Sequence, residues 1–197
     1  MANRRSTARD LAQIAIFAAL IAALGLPGTI TVGPTGVPIT LQTLGVMLAG
    51  GILGARKGFL SVLVFLVLTS AGLPLLAGGR GGLAIWAAPS AGYLVGFLAG
   101  AAVVGWLTAR ILPRYPLWQG ICVNLIGGAL VIYLFGVTWL AIRTSWGPAV
   151  TGAIPFLPGD VLKAVVAALV AKQVHRAYPG LIEGTAAAPP PTAKVSS

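Results

Sequence analysis

Acidic side chains are nearly missing from this chain: Asp10, Asp160 and Glu183 stand against thirteen lysines and arginines in 197 residues, a net charge of +10. No apolar stretch therefore holds the train of carboxylates expected of a proton-driven carrier. Histidine is as scarce. The single His175, beside Arg176, has no nucleophile or metal-ligand cluster around it in sequence, which argues against an intramembrane enzyme and leaves it a helix-terminal or interfacial role. With one cysteine, Cys122, no intrachain disulfide can form. A Gly-x-x-x-x-Gly-Lys-Ser/Thr segment is also missing, so nothing here cradles the phosphates of ATP. The chain lacks an engine of its own.

What is abundant is apolar surface. Hydrophobic residues make up 57% of the sequence and charged ones 8%, with a mean hydropathy of +0.95, more than a soluble domain of this length can hide in one core. The 27 glycines suit helices that approach closely in lipid, where packing drives association. The expected fold class is an all-α integral membrane protein. Its single membrane domain, 1–178, would hold six transmembrane helices at about 8–26, 41–55, 58–73, 91–112, 118–142 and 160–177. Gly28, Gly33, Pro34, Gly36 and Pro38 separate the first two, Arg56 and Lys57 mark a tight turn between the second and third, and Pro113 and Pro116 separate the fourth and fifth. Residues 179–197, polar and proline-rich, read as a disordered cytoplasmic tail.

The distribution of positive charge sets the orientation. Arg4, Arg5 and Arg9 precede the first segment, Arg56 and Lys57 follow the second, Arg110 and Arg114 the fourth, and Lys172, Arg176 and Lys194 cluster at or after the end of the sixth. All fall on one side of a six-span chain, whereas the other side has Arg80, Arg143 and Lys163. The positive-inside rule then places both termini in the cytoplasm of a multi-pass plasma (inner) membrane protein. Basic residues dispersed in this way make no groove for nucleic acid. The first 26 residues resemble a secretory signal, but cleavage would leave five segments and spoil the charge symmetry, so retention is expected.

Two small-residue patterns bear on packing. Gly92, Gly96 and Gly100 recur every fourth residue and should face another helix of the same bundle. Ala15 and Ala19, with Ala18 and Ala22 beside them, give the first helix a smooth face that serves either internal packing or a separate membrane subunit.

The distinctive polar groups collect on the outer side: Pro38 to Gln42, the loop Gly78-Gly79-Arg80-Gly81-Gly82, Trp86, Pro89 to Tyr93, and Pro158-Gly159-Asp160 with Lys163. The segment from Pro155 to Lys163 reads as a turn followed by a helix start, with Asp160 and Lys163 on one face. Asp160 is either an N-cap paired with Lys163 or part of a ligand pocket. The glycine-rich loop is either a plain connector or a wall of that pocket.

Taken together, Gly36-Val37-Pro38-Ile39-Thr40-Leu41-Gln42-Thr43, Gly72-Leu73-Pro74 with the glycine-rich loop, Pro89 with Gly92-Tyr93, and Pro158-Gly159-Asp160 with Lys163 resemble the BioY family. That family supplies the biotin-specific S component of energy-coupling factor (ECF) transporters. The resemblance spans the first to the sixth segment, and departs from it at Ser90-Ala91, where relatives often carry Thr-Gly. It implies an outward biotin pocket with no cofactor, biotin being the transported ligand. It also implies a transmembrane coupling subunit (T component) docked on Ala15, Ala18, Ala19 and Ala22, and two ABC-type ATPase subunits. Biotin chemistry suits the candidates: Asp160 accepts from the ureido NH, Lys163 donates to its carbonyl, Arg80 meets the carboxylate, Gln42 and Tyr93 assist, and Trp86 closes over the apolar part. Reversing the ligand exchanges the duties of Arg80 and Lys163. The alternatives are a self-sufficient biotin carrier and an S component for another small vitamin.

Overall fold

A computed structural model describes residues 2–26, 30–31 and 38–182. The interhelical glycines at 28, 33 and 36, Pro34, and the tail from 183 onward lie outside the described residues. Among the described residues seven α-helices follow in order: α1 Ala2–Ala23, α2 Gln42–Ser70, α3 Ala91–Ile111, α4 Leu117–Leu125, α5 Ile132–Arg143, α6 Trp146–Ala153 and α7 Leu157–Ala177. A π-helical turn, Ile126–Val131, joins α4 to α5, and 3-10 turns occupy Leu83–Ala87 and Ile154–Phe156. Two short strands, β1 Ile30–Thr31 and β2 Pro38–Ile39, pair antiparallel between α1 and α2.

Among the described residues, four helical runs are long and apolar enough to cross a membrane: Gln42–Ser70, Ala91–Ile111, Leu117–Arg143 and Trp146–Ala177. The difference from six has two sources. Polar and charged residues, Arg4, Arg5, Arg9 and Asp10 among them, fill the first half of α1. The second and third expected segments lie in one run, α2, and its continuity is only nominal: Gly54 has φ 83° and ψ 178°, a region essentially closed to other residues. There the chain turns back on itself. A methyl group on Gly58 would sit 2.8 Å from the Cα of Gly50, whereas eight residues of continuous helix span about 12 Å.

The sixth expected segment is α7, which starts at Leu157 after the 3-10 turn Ile154–Phe156, and a shorter helix leads into that turn. Helical geometry starts at Trp146 and continues, through the 3-10 joint, to Ala177. Pro155 and Pro158 each sit in the first two positions of a helical element, where the missing N–H would have had no partner in any case. Asp160 therefore lies inside the first turn of α7 rather than at its cap, and the capping position, Phe156, makes no side-chain hydrogen bond.

The glycine stripe of α3 packs where its spacing indicates. A methyl on Gly96 would lie 2.9 Å from the Cα of Ile132, and one on Gly100 2.7 Å from the carbonyl of Gly127. At the end of the bundle holding the Gly54 turn, Lys57 pairs with Asp10 at 3.1 Å and reaches Gln13 at 2.9 Å, tying α1 to the turn. His175 is buried there, with its Nε2 2.8 Å from the Gly51 carbonyl and its ring 5.9 Å from that of Tyr115. It is an interhelical tie between α7 and α2 rather than an interfacial group. Ile182 is buried against Gly54, so the chain still packs on the bundle beyond residue 179, where the tail was expected to begin.

Candidate binding site

At the opposite end, α2, α3, α5, α7 and the loop after α2 enclose a partly open cavity. Gln42, Arg80, Tyr93, Asp160 and Lys163 all line it, brought together from positions up to 121 residues apart, together with Thr40, Thr43, Ser90, Phe97, Tyr133 and Phe156.

Its floor is a buried ion pair. Lys163 donates to Asp160 at 2.9 Å, and the two side chains are 8% and 4% exposed. Such a pair stands in low dielectric only if its remaining hydrogen-bonding capacity is met. Here Lys163 also donates to Thr43 Oγ1 at 3.0 Å, Thr43 donates to Asp160 Oδ1 at 3.3 Å, and the Tyr133 hydroxyl donates to Asp160 Oδ2. One of the three ammonium N–H groups has no described protein partner.

Arg80 is half-buried and held by its loop. Leu76 and Arg80 bridge antiparallel, N–H to carbonyl at 3.0 and 3.3 Å, across Gly78 and Gly79, both at positive φ. The glycine-rich segment is thus a tight turn that only residues without a side chain form cheaply. The guanidinium donates weakly to the Ala77 carbonyl and to Ser90 Oγ, at 3.3 and 3.4 Å. Among the described residues it has no carboxylate partner.

Gln42 lines the cavity but spends its amide donors on the carbonyls of Ile21 and Leu75, at 3.4 and 3.1 Å, so that it braces α1 and the loop. Tyr93 stands edge-on to Tyr133 and Phe156, with centroids 6.5 and 6.4 Å away. Trp86 is not brought to the cavity. Its indole N–H donates to Ser70 Oγ at 2.9 Å, the partner that a half-buried indole needs, and the aromatic walls are Tyr93, Phe97, Tyr133 and Phe156 instead. Sequence reading missed Tyr133: an isolated tyrosine in an apolar segment gives no sign of its register, and a π-helical turn immediately precedes its helix, as such turns often do at functional sites.

On α1, Ala15 and Ala19 are exposed, Ala22 is half-buried, and Ala18 is 5% exposed within the core beside Ile21 and Phe65. Ala18 is therefore not available to a partner.

Residues 1–180 match the family model described as the BioY family. The chain belongs to the BioY family. Among BioY relatives, one from Rhizobium etli, named biotin transporter BioY, is 51% identical over 178 residues, covering 87% of this chain and 95% of the relative. Another of that name, from Rhodobacter capsulatus, is 44% identical over 88% of this chain and 97% of the relative. A crystal structure described as the S-component for biotin from an ECF-type ABC transporter superposes with a TM-score of 0.80 at 31% identity, covering 87% of this chain and 93% of that one. The fold of this BioY chain is thus that of an ECF S component.

Proposed function

We propose that this chain is the biotin-capture subunit of an ECF-type vitamin uptake transporter. One observation carries the reading: a single cavity combines one carboxylate, Asp160, with two cations, Lys163 and Arg80, between aromatic walls. Its net charge of one positive unit favours a monoanionic ligand with a polar head and an apolar body, and biotin is such a molecule. The ureido ring sits at the buried Asp160–Lys163 end, where donors and acceptors are held rigidly, and the valerate carboxylate meets the less buried Arg80. The names of the relatives support the same cargo.

The chain would cross the plasma (inner) membrane six times: as α1, as the two arms of α2 on either side of Gly54, as α3, as the run from α4 through α5, and as α7. Both termini, with the basic turns at Arg56 and Arg110, lie on the cytoplasmic side. Uphill movement draws on a T component docked at Ala15 and Ala19 and on two ABC-type ATPase subunits. The protein is a transporter component rather than an enzyme.

Calorimetric titration of the purified protein tests the cargo. Biotin should bind stoichiometrically, biotin amide should bind more weakly by about tenfold through the lost charge-assisted contact, and Arg80→Ala should erase that difference. A stronger heat from another vitamin, or equal affinity for acid and amide, overturns the reading.

A further inference from the structure

Arg110 and Arg114 stand at the corner between α3 and α4, where with Gln119 they line an open recess walled by Leu112, Pro113 and Pro116. Both guanidiniums are exposed. The chain has three acids to offer them: Asp10 is paired with Lys57, Asp160 with Lys163, and Glu183 lies outside the described residues. Among the described residues the corner therefore has two positive charges and no counterion. Arg110 is also held in place, its Cζ 3.3 Å above the Trp106 ring centroid. A guanidinium stacked on an indole keeps its edge N–H groups free for an acceptor in its own plane, which suits a phosphate or carboxylate.

The surroundings select between a soluble anion and a lipid. Trp106 and Trp118 flank the corner and are 50% and 66% exposed, the behaviour of indoles at the level of lipid headgroups. Apolar walls beside two arginines offer an acyl chain and a phosphate diester neighbouring surfaces. The corner is also at the bundle end that holds the Gly54 turn, since a methyl on Gly105, one turn before Arg110, would strike the backbone of Gly54 and Ala55. We infer that this corner is a binding seat for an anionic phospholipid of the cytoplasmic leaflet, with its phosphate held between Arg110 and Arg114. The inference rests on the orientation given under Proposed function.

The test is native mass spectrometry of the full chain, purified with an equimolar mixture of phosphatidylglycerol and phosphatidylcholine. The wild type should retain phosphatidylglycerol preferentially by about thirtyfold, as two basic groups near an anionic surface provide. The pair Arg110→Gln with Arg114→Gln should fall to parity, while Arg56→Gln, which removes a charge at the same end outside the recess, should keep the preference. Parity in the wild type overturns the seat. So does an equal loss in Arg56→Gln, which would make the effect one of diffuse charge, or full displacement of the lipid by inorganic phosphate. Biotin titration of the same samples separates the two readings: lipid preference without biotin binding sinks the proposed cargo and leaves the seat standing.

Discussion

Asp160 accepts from three side chains at once, the ammonium of Lys163 and the hydroxyls of Thr43 and Tyr133. Replacing it by Asn keeps an acceptor but removes the charge, so in the orientation proposed above the ureido N–H groups of biotin would lose a charged partner in a desolvated site. The expected outcome is a loss of affinity of more than about tenfold in calorimetry, equivalent to at least ~1.4 kcal/mol, with the protein still extractable and monodisperse. Tyr133→Phe is the finer probe. It deletes one donor to the carboxylate without exposing an unpaired charge, and affinity should fall by about threefold to tenfold. A variant that binds biotin as the wild type does would leave Tyr133 a purely structural partner. The identity of the ion pair was legible in the sequence, because a carboxylate and an ammonium three apart in an otherwise apolar segment have few other uses. Its neighbours were not. Thr43 and Tyr133 reach Asp160 across 117 and 27 residues, and such meetings depend on helix register, which a uniformly apolar sequence leaves open.

At the scale of elements, the turn at Gly54 has the sharpest sequence requirement. With φ 83° and ψ 178°, any side chain there is strained by about 1–3 kcal/mol, and a methyl would also meet Ile182 at 3.2 Å. Gly54→Ala should lower the melting temperature in detergent while biotin affinity at low temperature stays close to wild type, since the cavity is at the far end; loss of binding with unchanged melting would contradict this. Glycine at that position was visible in the sequence, yet the tight turn was read from the charges of Arg56 and Lys57, which lie just past it. The prolines gave the local order correctly: the segment read as a turn followed by a helix start is a 3-10 turn over Ile154–Phe156 and then α7 from Leu157, with Pro155 and Pro158 at the first positions of their elements, where proline costs little. For α1, the exposure of Ala15 and Ala19 keeps them available to a partner helix. Substituting both with Leu should preserve biotin affinity and abolish recovery of the coupling subunit and energised uptake; lost affinity would mean that they pack within the bundle.

For the whole molecule, the division of labour between the two ends follows from where charge is placed. One end holds the cavity with its inward-facing cations, and the other holds the ties Lys57–Asp10 and His175–Gly51 that fasten helices together. Capture and holding are therefore properties of this chain, whereas accumulation is expected to need its partners. Vesicles containing the protein alone should bind biotin stoichiometrically without concentrating it, and adding the coupling subunit and ATPases should make uptake depend on ATP. Accumulation by the isolated chain would instead favour a self-sufficient carrier. Composition made the membrane helices plain from the start, and Arg56 and Lys57 marked the reversal between the second and third segments; hydropathy did not show that the reversal itself falls on Gly54.

That reversal has a consequence for how the protein is made. The arm over residues 42–53 would be about 18 Å long as a helix, well short of the roughly 30 Å hydrocarbon layer, and it carries Gln42 and Thr43 at its tip. Such an arm has little reason to rest in lipid alone while the ribosome is still delivering the next one. It is expected to wait in the insertion machinery until residues 55–70 have emerged, and to enter the bilayer with them as a closed hairpin. Stalling synthesis with the chain exposed to residue 54, and again with it exposed to residue 72, would show the order of events: a photo-crosslinker placed within residues 44–53 should capture the insertion machinery in the shorter intermediate and lipid in the longer one.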